Sequence, residues 1–255
     1  MSLSIDHIVI SVNDLEAAIK SYSALGFKVI KGGKHGSGIT HNALIIFADG
    51  TYFELIAVVE GADTSKAEFL ELIRQGDDEG CTGYALVADD LSKAAEEIKK
   101  RGIDVGAVRD GSRKRQDGID IAWKMTNLDE SRSPFMIEDV TERKLRVPTE
   151  EPYIQHDNGV LGISSVLILT GDLISSSKRY EAIIGSTAQK SDKNATFPIA
   201  QSTIILQSPT SGVERDYVKN YGSVPYEITL SSKVTGMFIS AEDAHGARLR
   251  LVAVN

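Results

Sequence analysis

Two ionisable side chains interrupt apolar runs that read as strands, and both are of types that bind metals or move protons. His7 stands among Ile5, Ile8, Val9, Ile10 and Val12, and Glu54 stands among Tyr52, Phe53, Leu55 and Ile56. A carboxylate buried without a partner costs several kcal/mol, so an inward-facing Glu54 needs a cation or a donor. Otherwise it faces solvent, or pairs with Arg113 or Lys124. Arg113 and Arg115, in "GSRKRQDG", carry the forked donors that hold a carboxylate on a substrate, unless they stay at the surface. Trp123 is the one tryptophan, flanked by Ala122 and Lys124 on a strand, and suits a pocket wall or a packed core.

The elements that must position these residues repeat along the chain. In "SIDHIVISVNDLEAAIKSYSALGFKVI" a strand gives way to a helix marked by Leu15, Ala18, Ile19, Tyr22 and Leu25, and Gly26 ends it. The Gly-rich "KGGKHGSG" reads as a turn whose glycines permit a flexible flap, with His35 in it and His41 after it as solvated histidines. "THNALIIF" and "DGTYFELIAV" follow as strands, the second entered through the tight Asp49-Gly50 turn. The spacing predicts a linking helix over 65–75 and then a second β-α-β-β-β unit, through "GYALVADDLSKAAEEIKKRG", "DIAWKMTNL" and "SPFMIEDV". A third stretch, "GISSVLILTGDLISSSKRYEAIIGS", aligns with the opening: Ile5, Asp14, Leu15, Tyr22 and Ala24 match Ile163, Asp172, Leu173, Tyr180 and Ala182. The expected architecture is α+β, with tandem paired βαβββ units in two related halves, 3–140 and a shortened 160–255. The charged, proline-bearing 141–159 reads as a linker containing His156, and His245 reads as a turn residue.

Composition narrows the function classes. The 255 residues are 42% hydrophobic and 25% charged, and carry a net charge of −8. An acidic chain without a basic stripe is a poor partner for nucleic acid or anionic lipid. Neither an apolar run long enough to span a membrane nor a secretory signal is visible, and one cysteine, Cys81, excludes an internal disulfide. A cytoplasmic location is expected. Phosphate-cradling glycine motifs and a nucleophile elbow are missing, which argues against nucleotide chemistry and a serine hydrolase.

Paired βαβββ units with a histidine on the first strand and D-G-x-x-x-E-L at the last resemble the vicinal oxygen chelate superfamily. That group includes glyoxalase I, extradiol dioxygenases and fosfomycin- and bleomycin-resistance proteins. The pieces "DHIVISVNDL", "HGSGITHNALIIF", "DGTYFELIAV", "GSRKRQDGIDIAWKM", "SPFMIED" and "HDNGVLGISSV" are similar to the large glyoxalase-like domain family. The resemblance implies curled mixed sheets with outer helices and a cleft on their concave faces. It implies a divalent metal (Zn, Mn, Ni or Fe, which the ligand types do not separate) held by His7, Glu54 and Glu138. The fourth corner falls near Gly83, which has no donor. Glu138 or Glu54 would then exchange a proton, its pKa tuned toward neutrality by burial. Asn42 matches an asparagine of the family pattern and joins Trp123 and Arg113 as substrate-binding residues. The implied activity is of lyase or isomerase type on a small oxygen-rich substrate, in a homodimer. The alternative is a metal-free protein of the same fold that binds a small aromatic or anionic ligand. In the second half Ser165 and Ile205 replace His7 and Glu54, and Arg250 follows Gly246 as Glu54 follows Gly50, so no metal belongs there.

Overall fold

Strand β1 (Ser4–Ser11) leads into helix α1 (Leu15–Ala24), which starts where Asp14 accepts hydrogen bonds from the backbone N–H groups of Glu16 and Ala17. The computed structural model describes residues 3–64, 78–129, 134–234 and 236–254; the helix expected over 65–75 lies outside them. Strands β2 (Ile30–His35), β3 (Thr40–Ile46) and β4 (Tyr52–Val58) complete the first unit. The second unit comprises β5 (Gly80–Val87), α2 (Leu91–Lys100), β6 (Arg109–Lys114), β7 (Asp120–Asn127) and β8 (Phe135–Asp139). The eight strands close into a barrel in the order β1-β4-β3-β2-β6-β7-β8-β5. The first strand of each unit lies parallel to that unit's last, β1 to β4 and β5 to β8, and β1 and β5 join the units antiparallel.

After a short helix α3 (Arg143–Arg146), the second half supplies β9 (Val160–Leu169), α4 (Leu173–Ile184), β10 (Gln189–Lys190), β11 (Asn194–Ile199) and β12 (Ser202–Gln207). It ends with α5 (Gly212–Tyr221), β13 (Pro225–Ser232), β14 (Met237–Ile239) and β15 (Leu249–Ala253). These strands form an open sheet, ordered β10-β11-β12-β9-β13-β15-β14. β9 lies parallel to β12 and antiparallel to β13, and β13 lies parallel to β15, repeating the pairings of β1, β4, β5 and β8. The self-similarity of the sequence is thus one of topology. The second half contributes fewer strands and stays open. On β15, Arg250 pairs with Glu227 of β13 at 2.9 Å, a structural ion pair.

The main core lies where the halves and their helices meet, and takes in Tyr22, Phe47, Phe53, Leu86, Ile163, Tyr180, Phe197 and Leu249. Because strand side chains alternate, the barrel strands send one set to this core and the other inward. Phe53 and Leu55 face outward on β4, while Tyr52, Glu54 and Ile56 line a cavity inside the barrel. Among the described residues no helix is long and apolar enough to cross a membrane.

Candidate functional site

The interior of the barrel holds a cavity of about 600 Å³, the size range of a small-ligand pocket. Ile56, Met125, Phe135 and Ile137 give it an apolar floor, backed by Val9 and Ala85. Trp123 forms part of the wall from β7. Its cross-strand partner on β6 is Gly111, where a Cβ would lie 2.2 Å from the indole Nε1. Gly111 therefore makes the space that the indole fills.

The polar wall is built from β1, β4, β3 and β2. His7 is 2% exposed, and its ring stacks on Tyr52 with centroids 4.6 Å apart. Its Nδ1 lies 2.7 Å from Oδ2 of Asp6, the preceding residue. Neighbours on a regular strand point to opposite faces; here the β1–β5 register shifts between Ile5 and His7, and such an irregularity re-aims a side chain. Asp6 is fully buried. Burial alone would raise its pKa, but the charge of Arg146, the bond to His7 and the charge of Arg143 hold it well below the ordinary carboxylate range. An ionised Asp6 only accepts hydrogen bonds. His7 Nδ1 therefore donates to it, and Nε2 faces Glu54, 3.5 Å away at Oε2.

Glu54 is held from two further sides. The Asn42 amide donates to its Oε1 at 2.6 Å, and Nε2 of His35 stands 3.4 Å from the same oxygen. Burial acts to raise the Glu54 pKa, yet the bond and charge of His35, the charge of His7 and the Asn42 amide outweigh it and bring it to about 2. Glu54 is thus a fixed anion near neutrality. This corrects the expectation that its pKa is tuned upward, because donors surround the carboxylate that burial alone would neutralise.

Glu138 is the second correction. Phe135 and Ile137 of β8 face the cavity, so Glu138 faces out, and its Oε2 accepts from the backbone N–H of Leu91 at 2.7 Å. It caps the start of α2, where backbone donors and the helix dipole favour an anion. The structure therefore brings His7, Glu54, Asn42, Trp123 and Arg113 to one cavity and leaves Glu138 outside it.

Four contributors escaped the sequence. His35 belongs to β2, not to a flap: the turn is confined to 36–39, and His35 Nδ1 bonds the Thr40 hydroxyl at 2.6 Å. Gly32 serves close approach, since a Cβ there would lie 2.0 Å from Asn42 Oδ1. Asp6 needed a strand irregularity. Arg146 sits in the stretch expected to be a linker, yet it is 3% exposed and bonds Asp6, Asp139 and the Tyr52 hydroxyl. The glycine-rich spacing before His35, read as flexibility, is the one sequence signal of this close packing. His156 also ties 141–159 to the barrel: it accepts from Lys28 N–H at Nδ1 and donates to the Ile46 carbonyl at Nε2.

With the geometry in view, comparison with known proteins decides the family. The profile described as a glyoxalase-like domain matches residues 5–184. The chain belongs to the glyoxalase-like domain family. Its fold is that of the vicinal oxygen chelate superfamily, and among curated proteins none matches. A hypothetical protein from Staphylococcus aureus is 15% identical, with a TM-score of 0.78 over 99% of this chain and 100% of that one. A variant of 4-hydroxymandelate synthase from Streptomyces coelicolor is 12% identical, with a TM-score of 0.62 over 100% and 93%. The 2,2',3-trihydroxybiphenyl 1,2-dioxygenase of Sphingomonas wittichii is 12% identical, with a TM-score of 0.57 over 100% and 91%. At these identities the likeness is one of fold.

The resemblance to this superfamily implies a metal at four strand corners, and the donor set here fills two of them. His7 and Glu54 occupy the corners on β1 and β4. On β5, Gly83 and Ala85 have no donor side chain, and on β8 Ile137 is the inward residue. Among the described residues no cluster of three or more histidine, cysteine, aspartate or glutamate side chains is arranged to hold a metal ion. The residues present do not fit the four-corner chelate.

Proposed function

We propose that this glyoxalase-like barrel encloses a small oxygen-rich molecule and moves a proton on it, chemistry of the lyase or isomerase type, with His7 as the base. The observation that carries the reading is the Asp6–His7 pair, which fixes the ring by its Nδ1 and turns Nε2 to the cavity. A base must reach its proton at hydrogen-bond distance and stay oriented. Asp6 provides that orientation, and the two arginines behind it keep it ionised. Nε2 of His7 takes a proton from a carbon next to a carbonyl, leaving an enolate and an imidazolium. Returning the proton to the same carbon or to a neighbouring atom gives exchange or isomerisation. Asp6 stabilises the imidazolium across the 2.7 Å bond, and Glu54 does so from the other side. The apolar floor keeps bulk water from competing for the proton. The expected metal forms no part of this proposal, because two of its four corners have no donor.

The test is hydrogen exchange. The protein is incubated in D₂O with 2-oxoaldehydes, 2-oxoacids and acyl thioesters, and proton NMR reads the C–H next to each carbonyl. Exchange by the parent, reduced at least about 100-fold in His7→Gln, is the expected result. Absence of exchange throughout the panel, or exchange unchanged in H7Q, overturns the proposal. The second reading, a binding protein without turnover, is favoured by the donor-free corners at Ala85 and Ile137. It predicts saturable binding with no exchange.

A further inference from the structure

One charged group on the cavity wall has no use in the chemistry above. Arg113 is 4% exposed and lines the cavity from β6. It stands beside His35 in the β2–β6 pairing, so the two side chains share the inward face. Its stem packs on Gly33, and a Cβ at Gly32 would come within 3.0 Å of its Nη1. The two glycines thus leave the room in which the guanidinium lies.

Among the described residues, no hydrogen bond or ion pair to that guanidinium is found. The contrast with Arg146, which reaches the same cavity, is direct: its donors are engaged by Asp6, Asp139 and Tyr52. The carboxylate of Glu54 is already held by Asn42, His35 and His7. A second cavity of about 400 Å³ borders Arg113 on another side, with Lys28 and Lys31 in its lining. A buried guanidinium does not lose its proton, and a buried charge is normally paired. The Glu54 carboxylate acts on this guanidinium through space, but no bonded counter-ion engages its donors, and it faces a space the size of a ligand.

We propose that Arg113 is the anchor for the carboxylate of the cavity's ligand, which makes that ligand a small organic acid with an apolar body. The guanidinium matches a carboxylate through two parallel N–H bonds. Trp123, Met125 and Phe135 then take the apolar body, and the fixed anion at Glu54 turns away the acidic end. The ligand lies in one sense only, its carboxylate at Arg113 and its reacting carbon toward His7. This deepens the proton-transfer reading by naming the substrate class, but it stands on binding alone.

The test uses the full chain and calorimetric titration with benzoate, hexanoate and phenylpyruvate, beside benzamide, hexanamide and inorganic phosphate. Carboxylates are expected to bind and amides to fail. Affinity is expected to fall about 30-fold or more in Arg113→Met, and by less in Arg113→Lys, which keeps the charge without the fork. Thermal melting separates this from a structural role. With no partner to lose, R113M melts at or above the parent temperature in the absence of ligand, whereas an arginine that braces the fold would melt lower. Equal binding of acids and amides, undiminished acid binding by R113M, or a preference for phosphate over every carboxylate overturns the proposal. Carboxylate binding through Arg113 with no hydrogen exchange would remove the proton-transfer reading and leave this one standing.

Discussion

Asp6→Asn tests the support of His7 with almost no change of shape. In the parent, Asp6 and Asp139 face Arg143 and Arg146, two negative charges against two positive ones. Asp6 accepts from Arg143 Nη1 at 2.6 Å, from Arg146 Nη1 at 2.8 Å and from His7 Nδ1 at 2.7 Å. The asparagine leaves the cluster one positive charge in excess. Arg143, 38% exposed at its side chain, recovers water, but Arg146, 4% exposed, does not. Removing one partner of a buried ion pair costs about 3–5 kcal/mol. Arg146 keeps Asp139, so the lower end applies, about 3 kcal/mol. For a chain of this size that is a fall in Tm of roughly 6–12 °C. The assay is urea unfolding and thermal melting of D6N, R146M and the double variant. Coupling between the two sites should exceed about 1 kcal/mol. The sign of the pH dependence follows from the depressed pKa of Asp6. Its contribution is complete above the unfolded carboxylate value and is lost as pH falls through the folded one. The gap between parent and D6N therefore narrows in acid. A loss under about 1 kcal/mol, no coupling, or a gap that widens in acid would mean that Asp6 does not neutralise the buried Arg146.

Glu54→Gln should remove a second acid-sensitive contribution. With a folded pKa of about 2, the stabilisation by Glu54 is present above about pH 4.3 and lost as pH falls toward 2. It reaches at most about 3 kcal/mol, read as the difference in urea midpoints of parent and E54Q between pH 2 and 6. Glu138→Gln should cost about 1 kcal/mol through the α2 cap and leave ligand affinity unchanged; a lost affinity would place Glu138 back in the site. Gly111→Ala should displace the Trp123 indole and shrink the cavity. The expected readings are a shift in emission from the one tryptophan and weakened carboxylate binding, and unchanged emission would contradict the packing described.

How much of this was legible follows from strand parity. His7 and Glu54 were conspicuous because each interrupts an apolar run, and the alternation along β4 carries Glu54 to the inside. In "FMIED" the apolar residues occupy both faces, so sequence could not tell whether Ile137 or Glu138 points inward. The answer came from the barrel, whose outer face at that point meets the start of α2. Asp6 was hidden because sequence reasoning places adjacent strand residues on opposite faces, and the irregularity in β1 leaves no composition signal. Arg146 lies 140 positions from Asp6, in a stretch whose charges read as solvated. His35 was masked by glycines taken for flexibility, whereas Gly32 and Gly33 permit close packing against Asn42 and Arg113. The repeat was readable because helix starts at Asp14 and Asp172 and the strands before them kept their pattern. The closing of one half into a barrel, with the other left open, depends on long-range pairing that the sequence does not display.

The proposed chemistry depends on His7 offering an unprotonated Nε2 to the cavity while Asp6 holds the proton on Nδ1. The most direct measurement is nitrogen-15 NMR of the imidazoles in labelled protein, with the His7 signals assigned by their loss in H7Q. It is made above the ordinary histidine titration range, so that a neutral ring reports its tautomer. A protonated-type Nδ1 and a lone-pair-type Nε2 are expected for His7. The reverse pattern, with the proton on Nε2, would contradict this and remove the base on which the proposed chemistry depends.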